Sequence, residues 1–114
     1  MRDKRTTLRR DIIYYLEVHD SRSGALIGRV VDISDGGLLL VCDHPPETGT
    51  RIAAEVMLPE GVSTAASFPC LLTVRWRRPD HNPNFTLVGC RMEVGPAQLE
   101  TVREVVREYS FNQT

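Results

Sequence analysis

Alternating apolar and polar side chains run through the chain as far as Val94. Ile12, Tyr14, Leu16 and Val18 fall on one face and Ile13, Tyr15, Glu17 and His19 on the other, the two-residue period of a half-buried strand over 12–19. Ser21-Arg22-Ser23-Gly24 makes a turn into a second strand over 25–33. A third strand, 38–42, is stopped by Asp43-His44-Pro45-Pro46, because prolines cannot donate to a ladder. A fourth covers 51–58 with Ile52, Ala54, Val56 and Leu58 inward, and Pro59-Glu60-Gly61 breaks it. A fifth covers 68–76, where Pro69 predicts an edge or bulge near the start; a turn-rich loop over 78–84 leads to a sixth at 85–94.

The period then changes. Pro96 after Gly95 suits a first helical position, and Leu99, Val102, Val105, Val106 and Tyr109 recur at three- and four-residue steps. That is one apolar stripe of a helix over 96–111, read first as packing on the strands and second as a partner-facing surface. Six short strands and one helix predict a mainly β fold. Its form is a six-stranded antiparallel barrel with a C-terminal α-helix and a flexible N-terminal arm. The expected division of a single domain over 1–114 is arm 1–11, barrel 12–94 and helix 96–111.

One stretch stands apart. Asp32-Ile33-Ser34-Asp35-Gly36-Gly37 sits between the apolar runs Val30-Val31 and Leu38-Leu39-Leu40-Val41. Asp32 and Ser34 are two apart, so in extended chain both face the same side. Such a corner is either a turn stapled by its own side chains or a site offering a carboxylate, a hydroxyl and free N–H groups.

Composition narrows the classes. At 114 residues the chain has room for one core, and its 41% hydrophobic and 25% charged content is that of an ordinary globular protein. No apolar run approaches the roughly 18 residues of a membrane span, and no secretory leader is legible, so the cytoplasm is expected. Cys42, Cys70 and Cys90 form no Cys-x-x-Cys pair and read as buried thiols in a reducing compartment. His19, His44 and His81 lie in separate segments, so no metal site is expected.

The net charge of −1 conceals an asymmetry. Arg2, Lys4, Arg5, Arg9 and Arg10 against Asp3 give residues 1–10 a charge of +4 and leave −5 on the rest. An acidic body argues against broad DNA binding, whereas a short basic arm suits a small, highly charged anion. By itself such an arm is also simply a solvated tail. No Ser/His/Asp set, paired metal ligands or phosphate loop points to an enzyme.

Arg5-Thr6-Thr7-Leu8-Arg9 and, 23 positions after Arg9, Asp32-Ile33-Ser34-Asp35-Gly36-Gly37 together resemble the PilZ domain family. Val74-Arg75-Trp76 and Val88-Gly89-Cys90-Arg91-Met92 resemble its late strand pair, departing at Met92, where the family usually has an aromatic residue. The resemblance implies a receptor for the bacterial second messenger cyclic di-GMP, with Arg5, Arg9, Asp32, Ser34 and Gly37 as ligand-binding residues. Lys4, Arg10, Gly36 and Trp76 are further candidates, Trp76 reading first as core or rim packing, and Lys4 adds the expectation of a stacked ligand pair. Asp35 and Gly36 are expected mainly to shape the turn, and Gly37 to allow close backbone approach and a positive φ.

The resemblance further implies an arm that orders on the ligand and a signal passed to a protein effector in motility, biofilm formation or exopolysaccharide production. The expected state is a monomer or weak homodimer, with no cofactor and no membrane insertion. The alternative is a nucleotide-independent protein–protein adaptor of the same fold.

Overall fold

The structure, a computed structural model, describes residues 16–59 and 65–109. The strands are Glu17–Asp20 (β1), Leu26–Ser34 (β2), Gly37–Cys42 (β3), Arg51–Met57 (β4), Ser67–Pro79 (β5) and Thr86–Glu93 (β6). A 3-10 turn, Pro96–Gln98, then leads into the helix Leu99–Tyr109 (α1). All neighbouring strands are antiparallel, and the order β1-β2-β3-β6-β5-β4 closes through the β1–β4 pair into a barrel. Among the described residues, no helix is long and apolar enough to cross a membrane.

The two-residue period selects the interior. Val18, Val30, Leu40, Val56, Phe68 and Leu72 are fully buried, and Val102 and Val105 of α1 belong to the same core cluster. Burying each such side chain contributes on the order of 1.5–3 kcal/mol, so the helix is held by its valines rather than by propensity. Met92, where the family's aromatic would stand, is 4% exposed and packs in this core.

Several boundaries differ from the sequence pattern. Leu16 and Val18 are buried as expected, but 12–15 lie outside the described residues and β1 spans only Glu17–Asp20. β5 does not stop at Trp76. It runs to Pro79, because β6 supplies a partner as far as Thr86 and the loop contracts around the bonds Asp80 N–H to Phe85 O (3.3 Å) and Phe85 N–H to Asn82 O (3.0 Å).

Pro69 lies in the β4–β5 ladder opposite Glu55, not in a bulge, and its other flank is an edge, as the sequence suggests. Val74 bonds toward the β4 side through Thr50 and Gly49, so Pro69, an odd number of residues away, faces β6. The β6 ladder begins only at Leu71, and the missing N–H costs nothing there. Leu99, expected in the helical stripe, is 37% exposed, because it opens α1 directly after the 3-10 turn and burial begins a turn later at Val102. Ile52 and Leu58 are only partly buried.

At the β1–β2 turn, His19 is gripped at both ring nitrogens. Nε2 donates to Glu17 Oε1 at 2.9 Å and Nδ1 donates to the Gly24 carbonyl at 3.0 Å, where Gly24 takes a φ of 77°. Both partners are acceptors, so the imidazolium satisfies the arrangement best. The Glu17 hydrogen bond, helped by the Gly24 carbonyl, raises the His19 pKa above its ordinary 6.5. The same bond, aided by nearby Arg29, lowers Glu17 below 4.5.

The raised His19 pKa stabilises the fold fully below about pH 6.5, and this is lost as pH rises through the folded value. The lowered Glu17 pKa acts above about 4.5 and is lost as pH falls through its folded value. The pair therefore contributes most between these limits. In urea unfolding from pH 5 to 8, the stability gap between wild type and His19→Gln should shrink as pH rises; a gap independent of pH would refute the assignment.

Candidate functional site

Two irregularities in the barrel decide what its outer face presents. Between β2 and β3 the register shifts from Val30↔Leu40 to Asp32↔Leu39, making Val31 an extra residue. Between β5 and β6 it shifts from Val74↔Cys90 to Trp76↔Gly89, making Arg75 extra. Both are β-bulges, which re-aim the side chains beside them.

Because of the first bulge, Val30 and Ile33 are both buried although three apart, and Asp32 and Ser34 turn outward. The pairings then line up across four strands. Asp32, Leu39, Gly89 and Trp76 form one outward row, and Ser34, Gly37, Arg91 and Thr73 form the next. At sheet spacing each row spans about 14 Å. The row between them, Ile33, Leu38, Cys90 and Val74, points into the core.

Glycines in the middle of these rows leave a trough. An open groove of about 410 Å³ lies over them, with Asp32, Ser34, Gly36 and Gly37 at one side and Arg75, Trp76 and Arg91 at the other. A β-carbon on Gly37 would stand 3.3 Å from the Cys90 carbonyl oxygen, a tight contact that asks for a shift of a few tenths of an ångström, and 3.6 Å from Ser34 Oγ, an ordinary one. The positive φ expected of Gly37 is not found: among the described glycines only Gly24 and Gly49 have one. Ser34 pairs with Gly37, so Asp35-Gly36 forms the two-residue turn, and the Gly36 carbonyl accepts from the Met92 N–H at 2.9 Å.

Asp32 Oδ1 accepts from the Ile33 N–H at 2.9 Å, so this carboxylate does brace its own bend. Asp32 also lines the groove, and among the described residues no hydrogen bond engages Ser34 Oγ. The corner is therefore both a braced turn and a wall with polar groups to spare.

Trp76 is 40% exposed and forms the rim, not the core. Its indole lies across Gly89, where any β-carbon would collide with the ring, and the Arg78 guanidinium sits 4.7 Å from the ring centroid. Such cation–π contacts contribute on the order of 0.5–1 kcal/mol when exposed.

Arg75 and Arg91 are groove residues that the motif reading did not single out as site residues. Their sequence signal was weak, since an arginine in a strand does not show which face it takes, and at Arg75 the bulge decides it. Arg91 Nε lies 3.4 Å from Glu93 Oε2, an exposed pair that leaves most of its donors available. Lys4, Arg5, Arg9 and Arg10 lie outside the described residues.

The chemistry on offer is recognition. Cys90 lines the groove, but burial pushes its thiol up to about 11, and burial pushes Cys42 and Cys70 up to about 12. None supplies a thiolate nucleophile near neutral pH. Among the described residues, no group of three metal-ligating side chains comes together.

Gly89→Ala should displace the indole and destabilise the protein by roughly 1–3 kcal/mol, the usual cost of overpacking. Trp76 is the only tryptophan, so its emission should shift to the red in the variant. Unchanged emission together with unchanged stability would contradict the packing described.

A family model described as PilZ domain matches residues 2–111. Among solved structures, the chain is similar to the Bacillus subtilis Inhibitor of motility (MotI/DgrA), with a TM-score of 0.64 and 19% sequence identity. That match covers 81% of this chain and 45% of the other, so this chain spans less than half the length of its structural neighbour; at such identity the likeness concerns the fold alone. No curated protein matches. A barrel closed in this order, a polar corner facing a glycine trough, and a family match over nearly the whole sequence lead to one assignment: the chain belongs to the PilZ domain family.

Proposed function

We propose that the groove binds cyclic di-GMP and that the chain is a receptor or adaptor signalling through protein contacts. The observation that carries this is the outward row geometry, which gathers Asp32, Ser34, Gly36 and Gly37 opposite Arg75, Arg91 and Trp76 over one trough. The ligand offers two phosphodiesters and two guanines. A carboxylate such as Asp32 accepts from guanine N–H donors, and a hydroxyl such as Ser34 both donates and accepts. Guanidinium forks match phosphate oxygens and the guanine O6/N7 edge.

In this reading Arg5 and Arg9 close over the trough from the arm, with Lys4 and Arg10 as auxiliary cations. Their ordering accompanies binding. Lys4 also makes a stacked ligand pair the stoichiometry to test, two per chain against one. The family is one of ligand-binding and adaptor domains, which supports a non-enzymatic role. The structural neighbour's description as an inhibitor of motility makes control of motility the first process to examine. Biofilm formation and exopolysaccharide production come second.

Calorimetric titration of wild type, Arg9→Ala and Asp32→Ala with cyclic di-GMP tests the reading. Wild type should bind at low-micromolar Kd or tighter, about −8 kcal/mol. Each substitution removes charge-assisted hydrogen bonds of about 1.5–3 kcal/mol and should weaken binding roughly tenfold or more while leaving the fold intact. Wild-type silence at about 100 µM ligand would leave the nucleotide-independent adaptor as the surviving reading.

A further inference from the structure

Arginines from three strands gather around Thr73 on the outer face of β4, β5 and β6. Buried Ala54 and Val56 set the inward side of β4, so Arg51 points outward and is exposed. Thr73 stands outward between buried Leu72 and Val74, and Arg91 stands outward between buried Cys90 and Met92. The ladders place Arg51 opposite Thr73 and Thr73 opposite Arg91. Arg75 follows two residues after Thr73 on β5, and the bulge there turns it toward the groove that Arg91 also lines. Arg77, opposite buried Val88, faces the other way and takes no part. We propose that Arg51, Arg75 and Arg91 form a phosphate subsite over Thr73, which extends the groove onto β4 and makes Arg51 a further ligand-binding residue.

The spacing permits convergence. Directly opposite residues of an antiparallel pair stand about 4.5–5.5 Å apart and diagonal ones about 7–8 Å, within reach of long side chains. Arg51 and Arg91 flank Thr73 on its two sides, and Arg75 lies diagonal to Arg51 and closes the third. An arginine side chain spans one strand spacing, so the guanidinia reach the space above the Thr73 hydroxyl.

Charge calls for an occupant there. Like charges gathered at such distances repel one another, and a counter-charge relieves them. Among the described residues, no hydrogen bond or ion pair engages the guanidinia of Arg51 and Arg75, and no hydrogen bond engages Thr73 Oγ1. Glu93 Oε2 lies 3.4 Å from Arg91 Nε, but both side chains are about half exposed, and such a pair yields readily to competition.

Continuity decides which anion it is. Arg75 and Arg91 line the groove together with Asp32 and Trp76, so a nucleotide seated there brings its phosphodiesters to the same two guanidinia. Guanidinium forks meet phosphate oxygens bidentately, and the Thr73 hydroxyl adds a donor. Arg51 then contributes from the far side, although it lies outside the groove's lining. The inference rests on reading the groove as a nucleotide site.

Titration calorimetry with cyclic di-GMP on Arg51→Ala, Arg51→Lys and Arg77→Ala, each melted beside wild type, tests the assignment; Arg51→Gln replaces Arg51→Ala if that variant melts lower. Arg51→Ala should bind roughly tenfold more weakly than wild type, as for loss of a charge-assisted hydrogen bond, and Arg51→Lys should recover part of the loss. Arg77→Ala should match wild type. Inorganic pyrophosphate reads the subsite without the nucleotide, and it should shift the Thr73 amide resonance in wild type but not in Arg51→Glu.

The proposal is overturned if Arg51→Ala binds cyclic di-GMP as tightly as wild type, or if pyrophosphate shifts Thr73 equally in wild type and Arg51→Glu. Pyrophosphate binding at Thr73 without any cyclic di-GMP binding would uphold the phosphate subsite and remove the nucleotide reading of the groove. Binding of neither would remove both.

Discussion

The outer face of this barrel depends on the contact between Trp76 and Gly89. An indole can lie flat on a sheet only where the cross-strand residue has no side chain, and the β5 bulge at Arg75 is what brings Trp76 opposite that glycine. Without the bulge, strict alternation would bring Arg75 opposite Gly89 and move every later β5 residue to the other face. The bulge in β2 does the same for Asp32 and Ser34. Two one-residue insertions, on strands separated by β3 and β6, thus bring an acidic wall and a basic, aromatic rim to face one another.

The architecture was largely written in the hydrophobic pattern. Alternation located all six strands, the change of period located the helix, and Pro45, Pro46 and Pro59 marked where strand pairing stops. What alternation could not supply was the extent of β5. Arg77, Arg78 and Pro79 fall outside the expected strand because they carry no apolar alternation, and they are strand only because β6 pairs with them in space. Pairing is a tertiary event, and exposed strand residues leave no burial signature.

The site was legible in part for the same reason. Asp32 and Ser34 could be assigned to one face because they share a strand and a parity, and their motif drew attention to Gly37. Of the two reasons the sequence offered for Gly37, the positive φ is not used, and what its lack of a side chain relieves is a tight 3.3 Å approach to the Cys90 carbonyl on another strand. Arg75 and Arg91 escaped notice because their membership depends on register between strands that are far apart in sequence.

The far end of β5 has one more consequence. A closed barrel exposes no strand edge, yet here the five residues of β5 after Val74, the last to bond the β4 side through Thr50 and Gly49, run on past the end of β4 and pair with β6 alone. An open edge invites a strand from another molecule, the first step toward sheet-to-sheet aggregation. Arg77 and Arg78 charge that flank, and Pro79 ends it with a residue that has no N–H to donate. Arg77, Arg78 and Pro79 therefore guard this open flank, so replacing them with apolar strand formers would expose the protein to self-association.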